Sequence, residues 1–291
     1  MQRGLAALNA RRHSPTMSSP DCGLTTRLPD DAMRVVLDQF HRDGFALIKG
    51  VLSAAECAFF RQRTDELSRD PSICPPGGDD RLFILRNAEL YDRAFVELFL
   101  REPIYSLVQQ ILGPDCRFCA QNVIRNRPGA AISHWHVDDI LEYPLPPEVP
   151  QWDPRTRLPV MWLSVQVALT DLLTTEVGPT EVVPGSQRSG RLPADKDPVF
   201  AGRGAEPVLC QAGDIYLFNH QVWHRGRPNQ SQGTRYLMQL QYGRGDSIAW
   251  RLQAAPRTEE LAGILAGAEP RLVEFMIGPP KYTSPGHFNR L

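Results

Sequence analysis

A chain of 291 residues with 42% hydrophobic and 22% charged residues has the composition of an ordinary globular protein with a sizeable core. Its formal net charge of −1 gives no electrostatic reason to expect nucleic acid or an anionic membrane as a partner. The longest apolar stretch, roughly Val160 to Leu169, is broken by Ser164 and Gln166. It falls short of the ~20 residues that a membrane-spanning helix needs, so no membrane span is expected.

The six cysteines are scattered, which is not the density of a disulfide scaffold and favours a reducing, cytoplasmic location. Cys116 and Cys119 form a CxxC, but a structural zinc site would need a second pair. They are better explained as small hydrophobic residues on a buried strand. The arginine-containing, acid-free start of the chain could be a transit peptide, but we favour a disordered tail and predict it over residues 1–28.

Helical patterns dominate the first part of the chain. Met33, Val36, Leu37 and Phe40 recur at helical spacing before Gly44, and Ser53 with Glu56 forms a capping box that opens a second helix. We predict helices over residues 32–43, 53–67 and 92–112, the last interrupted near Pro103. A strand is predicted over residues 45–50 and a loop over residues 70–80.

From residue 116 onward, short β-like runs alternate with proline and glycine turns, which is typical of a sandwich or barrel. The proline-rich segment 144–159 is long enough to form a lid or an active-site loop. We therefore predict a mainly β protein with flanking helices in one domain, residues 29–291, with a helical layer over 29–113, a barrel core over 116–242 and a C-terminal segment over 243–291. The predicted strands of the core are Cys116–Arg125, Ile132–Asp138, Val160–Leu169, Thr180–Val183, Pro207–Cys210, Asp214–Phe218 and Tyr236–Tyr242.

Four of the seven histidines lie in two short segments, His134-Trp-His136-Val-Asp138 and His220-Gln-Val-Trp-His224. Residues two apart on a strand face the same side, so His136 and Asp138 share a face. A second strand can supply a histidine from across a barrel. Two histidines and one carboxylate leave three metal positions open, which is the arrangement of non-haem Fe(II) oxygenases. His134 has the same parity as His136, and parity alone does not choose between the histidines.

Arg235 follows His224 by eleven residues, inside an otherwise apolar and alternating strand. A charge in that setting is costly unless it meets an anion, and a planar guanidinium suits a carboxylate. The sequence therefore predicts a carboxylate ligand for Arg235. Arg125, on the strand before Pro128-Gly129, could face the same pocket or the surface.

Several segments resemble the phytanoyl-CoA dioxygenase family of iron and 2-oxoglutarate enzymes. The resemblance covers residues from about 40 to 242, and its segments keep the order and spacing of the family. They are Asp43-Gly44-Phe45, Trp135-His136-Val-Asp138, Gly178-Pro-Thr-Glu-Val-Val-Pro-Gly-Ser186, Gly213-Asp214, Trp223-His224-Arg-Gly226, Asn229-Gln-Ser231 and Arg235.

The resemblance implies a double-stranded β-helix, the jelly-roll or cupin-like barrel. It implies Fe(II) on His136, Asp138 and His224, and 2-oxoglutarate held through its distal carboxylate by Arg235. It selects His224 and His136 over His220 and His134, which are then expected to line the pocket or to hydrogen-bond nearby backbone. Gln121 falls where such enzymes often contact the co-substrate. With O2, this chemistry oxidises a C–H bond and releases succinate and CO2.

The sequence departs from the family pattern at two positions. Gln187 stands where the family has histidine after Pro-Gly-Ser, and Gly226 stands where a hydroxyl often assists the co-substrate. These departures concern the co-substrate contacts rather than the metal ligands. Related halogenases replace the carboxylate ligand with a small residue, so Asp138 favours oxygenation.

The substrate is expected to be a small metabolite, with an intermediate of secondary metabolism as the leading hypothesis. Hydroxylation is favoured, but the same site could desaturate, epimerise or close a ring. A metal-dependent jelly-roll isomerase or hydrolase and a non-catalytic metal-binding module are the alternatives. The first would not need Arg235, and the second would be expected to have lost a ligand.

Overall fold

The computed structural model describes residues 23–74, 81–138, 140–194, 196–245 and 258–278. Short 3-10 turns at Ala88–Leu90, Leu98–Leu100, Thr175–Val177 and Ser186–Arg188 supplement the α-helices. The α-helices within the described ranges are α1 (Asp30–Asp43), α2 (Ala54–Ser68), α3 (Arg93–Glu97), α4 (Ile104–Leu112), α5 (Thr258–Ala262) and α6 (Pro270–Ile277).

Three helix boundaries follow signals in the sequence. α1 stops because Gly44 takes a left-handed conformation (φ 84°) and donates its N–H to Phe40 O at 2.8 Å. The predicted capping box is present at α2, where Glu56 N donates to Ser53 Oγ and Ser53 N donates to Glu56 Oε2. The predicted interruption near Pro103 is also found, because α4 begins directly after it.

The strands form two sheets. The larger sheet has the order β1-β7-β4-β9-β3-β2 and the smaller has the order β6-β5-β8, with antiparallel pairing throughout. Strand β2 was not predicted, because its apolar run is too short for periodicity to distinguish a strand from a buried helical segment. The strands are β1 (Phe45–Ile48), β2 (Leu82–Arg86), β3 (Arg117–Asn126), β4 (Trp162–Ala168), β5 (Thr180–Val182), β6 (Glu206–Pro207), β7 (Ile215–Asn219), β8 (His224–Gly226) and β9 (Arg235–Gly243).

The larger sheet has two differently packed faces. Alternate residues of β9, Met238, Leu240 and Tyr242, pack in the main core with α2 to α4, and Phe275 of α6 joins this layer. Leu237 instead packs with Val182 of the smaller sheet. The two sheets therefore face each other across an interior, with helices behind the larger one. This confirms the predicted mainly β jelly-roll with flanking helices.

The structure differs from two of the expectations. The predicted strand over Ile132–Asp138 is wrong as a regular strand, since this segment makes a single bridge, at His136. The tail prediction extends too far, because Leu24 N–H donates to Gly50 O at 3.0 Å and Leu28 packs against the core. Residues 1–22 of that tail and residues 75–80 of the predicted loop lie outside the described residues. No helix in the described ranges is long and apolar enough to cross a membrane.

Candidate metal centre

Two backbone segments bring the candidate ligands together. His136 lies opposite His224 at the start of β8, and each residue donates its N–H to the other's carbonyl at 3.0 Å. Further along, Asp138 N–H donates to His220 O at 2.9 Å. Residues paired in this way project their side chains to the same side, so both rings face the interior. Although residues 132–138 form no regular strand, they run alongside β8.

The side chains of His136, Asp138 and His224, here called the triad, converge. One potential ligand atom from each lies within 4.8 Å of the others. Nε2 of His224 lies 3.5 Å and Nε2 of His136 lies 3.7 Å from Oδ1 of Asp138. Burial alone would raise the pKa of Asp138, but the neighbouring His224 and the other histidine rings bring it well below its usual range. Burial, reinforced by His224, lowers the pKa of His136. A carboxylate beside a neutral imidazole is the protonation state that a metal needs.

Hydrogen bonds fix the tautomer of both histidines. Nδ1 of His136 lies 2.9 Å from His134 O, and Nδ1 of His224 lies 3.0 Å from Val222 O. A carbonyl only accepts, so each Nδ1 carries a hydrogen, and in the neutral ring Nε2 is the nitrogen whose lone pair is available to a metal. Backbone carbonyls commonly orient metal-binding histidines in this way.

The other two histidines lie beside the triad. His134 is exposed, and its ring contacts that of His136 with centroids 4.7 Å apart. His220 is buried, with Nε2 3.0 Å from Ser164 Oγ. Neither belongs to the group of converging ligand atoms among the described residues.

Arg235 begins β9 and is 5% exposed, on the interior face of the larger sheet. Its Nη1 donates to Gly178 O, and its Nη2 donates to Asn126 Oδ1 at 3.2 Å. Its Nε is buried and has no hydrogen-bond partner among the described residues. Burial lowers the pKa of Arg235, although an arginine remains protonated in proteins. A buried cation with an unused donor is therefore present on the interior face.

Three interior residues near Arg235 were not singled out from the sequence. Asn126 pairs with Arg235 across β3 and β9, and its Nδ2 is buried without a partner among the described residues. Tyr216 and Thr180 join the two sheets through a hydroxyl contact of 2.8 Å. Strand alternation predicts which residues of a strand share a face with one another. It does not say which of the two faces is interior until the strand pairing is known.

The structure contradicts the expected co-substrate contact of Gln121. Its Nε2 donates to Phe95 O at 3.1 Å and approaches Met238 Sδ, both on the helical side of the larger sheet. Strand parity puts Asn122, not Gln121, on the interior face. Arg125 also faces the helices, where it pairs with Asp65 at 3.1 Å. Arg125 therefore does not face the interior that holds the triad.

Amide side chains line part of the interior face of the central strands β3, β4 and β9. β9 lies between β3 and β4, and its outer face is buried under helices. The partial exposure of Gln239 and Gln241 is therefore toward the interior. Asn122 Nδ2 lies 3.4 Å from Gln239 Oε1, and Oε1 of the buried Gln166 has no partner among the described residues. These amides give this part of the interior polar groups without net charge.

Arg191 is a main attachment of the proline-rich segment, residues 144–159, which the Arg157–Asp38 ion pair also holds. The guanidinium of Arg191 donates to the carbonyls of Pro146 (3.0 Å), Pro147 (3.0 Å), Val149 and Pro150 (2.9 Å). Arg191 O in turn accepts the indole N–H of Trp223 at 2.8 Å. Because Trp223 precedes His224, this segment is linked to the strand that carries a triad histidine.

A jelly-roll with two histidines and a carboxylate on one side of an interior defines the class of non-haem metal oxygenases. The chain belongs to the phytanoyl-CoA dioxygenase (PhyH) family, which matches residues 40–237. Ectoine dioxygenase of Streptomyces avermitilis is 25% identical over 264 residues, covering 85% of this chain and 78% of the relative. An uncharacterized protein of Mycobacterium tuberculosis is 26% identical over 266 residues, covering 84% and 92%.

Solved structures share the fold. The non-heme alpha-ketoglutarate-dependent epimerase SnoN from nogalamycin biosynthesis superposes with a TM-score of 0.58 at 20% identity, covering 75% of this chain and 85% of SnoN. HygX from Streptomyces hygroscopicus, with nickel, 2-oxoglutarate and hygromycin B bound, superposes with a TM-score of 0.56 at 19% identity, covering 72% and 87%. The family relationship makes this chain an Fe(II)- and 2-oxoglutarate-dependent oxidoreductase that uses O2. The isomerase, hydrolase and binding-module alternatives are accordingly disfavoured.

Proposed function

We propose that the triad binds Fe(II), that Arg235 binds the distal carboxylate of 2-oxoglutarate, and that the enzyme hydroxylates a C–H bond of a small metabolite. The observation that carries the proposal is the combination of converging His136, Asp138 and His224 ligand atoms with a buried arginine on the same interior. The bound iron, with 2-oxoglutarate and O2, supplies the oxidising chemistry that attacks an unactivated C–H bond.

The donor set supports both groups. The triad offers two imidazole nitrogens and one carboxylate, which suits Fe(II), and it leaves coordination positions for a co-substrate. Near Arg235, the unused donors Arg235 Nε and Asn126 Nδ2 are buried without acceptors among the described residues. Buried donors normally find a partner, and a carboxylate supplies the acceptors that are missing here.

The interior supports a small polar substrate. Asn122, Gln166, Gln239 and Gln241 offer donors and acceptors without net charge, which fits hydroxyl or amide groups better than a phosphate-bearing thioester. HygX, which binds hygromycin B in its crystal structure, and SnoN, which comes from nogalamycin biosynthesis, share the fold. This association supports a substrate from secondary metabolism.

The test has two parts. Anaerobic protein with Fe(II) and 2-oxoglutarate should develop the weak visible charge-transfer band of the iron–2-oxoglutarate complex. Screening metabolites under air should then identify one that stimulates succinate release. The product should carry one oxygen atom from O2, measured by mass spectrometry with labelled gas. Absence of the band at saturating 2-oxoglutarate would refute the proposal, and a product with no added oxygen would replace hydroxylation with another outcome.

A further inference from the structure

Three hydrogen-bond donors on the Arg235 side of the interior have no acceptor among the described residues. The first is Nε of Arg235 itself, and the second is Nδ2 of Asn126, a residue that is fully buried. The amide orientation of Asn126 is determined, because a guanidinium can only donate and the 3.2 Å contact must therefore involve Oδ1. Nδ2 of Asn126 is consequently left to donate elsewhere.

The third donor belongs to the Tyr216–Thr180 pair. The two hydroxyls lie 2.8 Å apart, and a single hydrogen bond between them uses only one of their two hydrogens. Tyr216 is fully buried and interacts electrostatically with Arg235, while Gly178, two residues before Thr180, supplies the carbonyl that Arg235 contacts. The remaining O–H hydrogen therefore lies on the same side of the interior as the guanidinium.

Position 226 explains why this hydroxyl matters. Thr180 pairs with Gly226 across β5 and β8, so side chains at these positions project to the same face. The neighbouring pair on the same strands, Val182 and His224, projects into the interior. Residues two apart share a face, so Thr180 does the same. Gly226 can offer no hydroxyl, whereas Thr180 offers one from the adjacent strand.

We propose that Thr180 and Asn126 complete the carboxylate pocket around Arg235, with the Thr180 hydroxyl taking the part that a hydroxyl at position 226 would play. This inference rests on the proposed function, since the carboxylate is the distal one of 2-oxoglutarate. A hydrogen bond to a charged group contributes enough that its loss weakens binding about tenfold or more.

The experiment measures 2-oxoglutarate binding directly. Thr180→Val keeps the shape of the side chain and removes its hydroxyl, and Asn126→Leu removes the amide. Both are titrated with 2-oxoglutarate as anaerobic Fe(II) protein, following the charge-transfer band, with iron affinity measured separately. We expect the dissociation constant of 2-oxoglutarate to rise about tenfold in each variant, with iron affinity near that of the wild type.

A rescue variant separates a binding role from a structural one. A Cβ at position 226 would lie 3.4 Å from Ile132 O, an ordinary van der Waals distance, so a serine fits there. Gly226→Ser added to Thr180→Val should restore most of the lost affinity. Thr64→Val is the matched control, because Thr64 is also buried but donates to Phe60 O within α2.

The outcomes distinguish the two proposals. If wild-type protein binds 2-oxoglutarate and neither Thr180→Val nor Asn126→Leu weakens it, the inference is overturned while the proposed function stands. If wild-type protein gives no band at all, the proposed function itself fails. Equal weakening by Thr64→Val would show that the loss comes from a general change in packing, which would also overturn the inference.

Discussion

At the scale of single residues, the triad histidines differ from their neighbours in how their ring nitrogens are engaged. Nδ1 of His136 and of His224 is committed to a backbone carbonyl, which leaves each Nε2 toward Asp138. His220 instead directs Nε2 to Ser164. We therefore expect the four histidines to respond differently to substitution, although they lie in two short segments.

Replacing a triad residue should abolish iron binding. His136→Ala, Asp138→Ala and His224→Ala each remove one of three protein ligands, so Fe(II) content and turnover should be lost. His134→Ala and His220→Ala should keep iron. Metal analysis of each purified variant after Fe(II) loading and desalting measures this. Retention of iron by His224→Ala together with its loss from His220→Ala would contradict the assignment.

Replacing Arg235 with lysine should separate co-substrate binding from iron binding. Lysine keeps the charge but loses the planar fork, so the 2-oxoglutarate concentration needed for half-maximal succinate formation should rise at least tenfold. Arg125→Lys is the matched control, because Arg125 lies next to Asn126 on β3 but faces the helices. If Arg235→Lys lowers iron affinity and leaves the 2-oxoglutarate requirement unchanged, Arg235 has a structural role instead.

At the scale of elements, the end of α1 is tied to a distant loop by a buried carboxylate. Asp43 accepts from Arg203 and Arg42, both at 2.7 Å, and Asp43 O accepts from Gly185 N–H. Burial would raise the pKa of Asp43, but the two guanidinium groups lower it below its usual value. These contacts join the end of α1 to the turn at Gly185 and to the loop that carries Arg203.

The Asp43 junction should lose its contribution in acid. Because the folded pKa lies below the unfolded value of about 3.9, the stabilisation is present above that value and disappears as pH falls through the folded pKa. Asp43→Asn should therefore be less stable than the wild type at pH 6, and the difference should shrink as the pH falls below about 4. Urea unfolding of both proteins across this range measures it. A constant difference would contradict the prediction.

Sequence patterns predicted the elements whose signals are local. The capping box at Ser53, the glycine stop at Gly44 and the alternating run of β9 each depend on neighbouring residues, and the structure contains all three. The segment over Ile132–Asp138 was mistaken for a strand because its composition is β-like. Its partner, β8, is only three residues long, and pairing length is not encoded locally.

The site was predictable to the extent that parity and spacing suffice. His136 and Asp138 share a face by alternation, and the structure does bring both beside His224. Gln121 and Asn122 are adjacent amides, and choosing between them requires knowing which face of β3 the helices cover. The roles of Asn126 and Thr180 depend on their partners on neighbouring strands. Asn126 pairs with Arg235 and Thr180 pairs with Gly226, and both partners are far away in the chain.

At the scale of the whole molecule, the interior is bounded by both sheets, so ligands that bridge them should stabilise the fold. A ligand that binds only the native state at a hundred times its dissociation constant contributes about 2.7 kcal/mol. Fe(II) with 2-oxoglutarate should therefore raise the melting temperature by several degrees under anaerobic conditions. The 2-oxoglutarate-dependent part of that rise should shrink in Arg235→Lys at the same 2-oxoglutarate concentration, while the Fe(II)-dependent part remains. Loss of both parts would show that the variant is damaged more widely.

The attachment of residues 144–159 has a consequence for how this enzyme can diversify. Arg191 holds that segment entirely through main-chain carbonyls, which every amino-acid sequence possesses. The side chains of residues 146–150 can change without removing the Arg191 contacts, while the Trp223 contact keeps Arg191 beside the triad. Arg191 can therefore be kept while the side chains of residues 146–150 vary. Grafting 146–150 from a relative should thus alter what the segment presents and leave the histidine geometry intact.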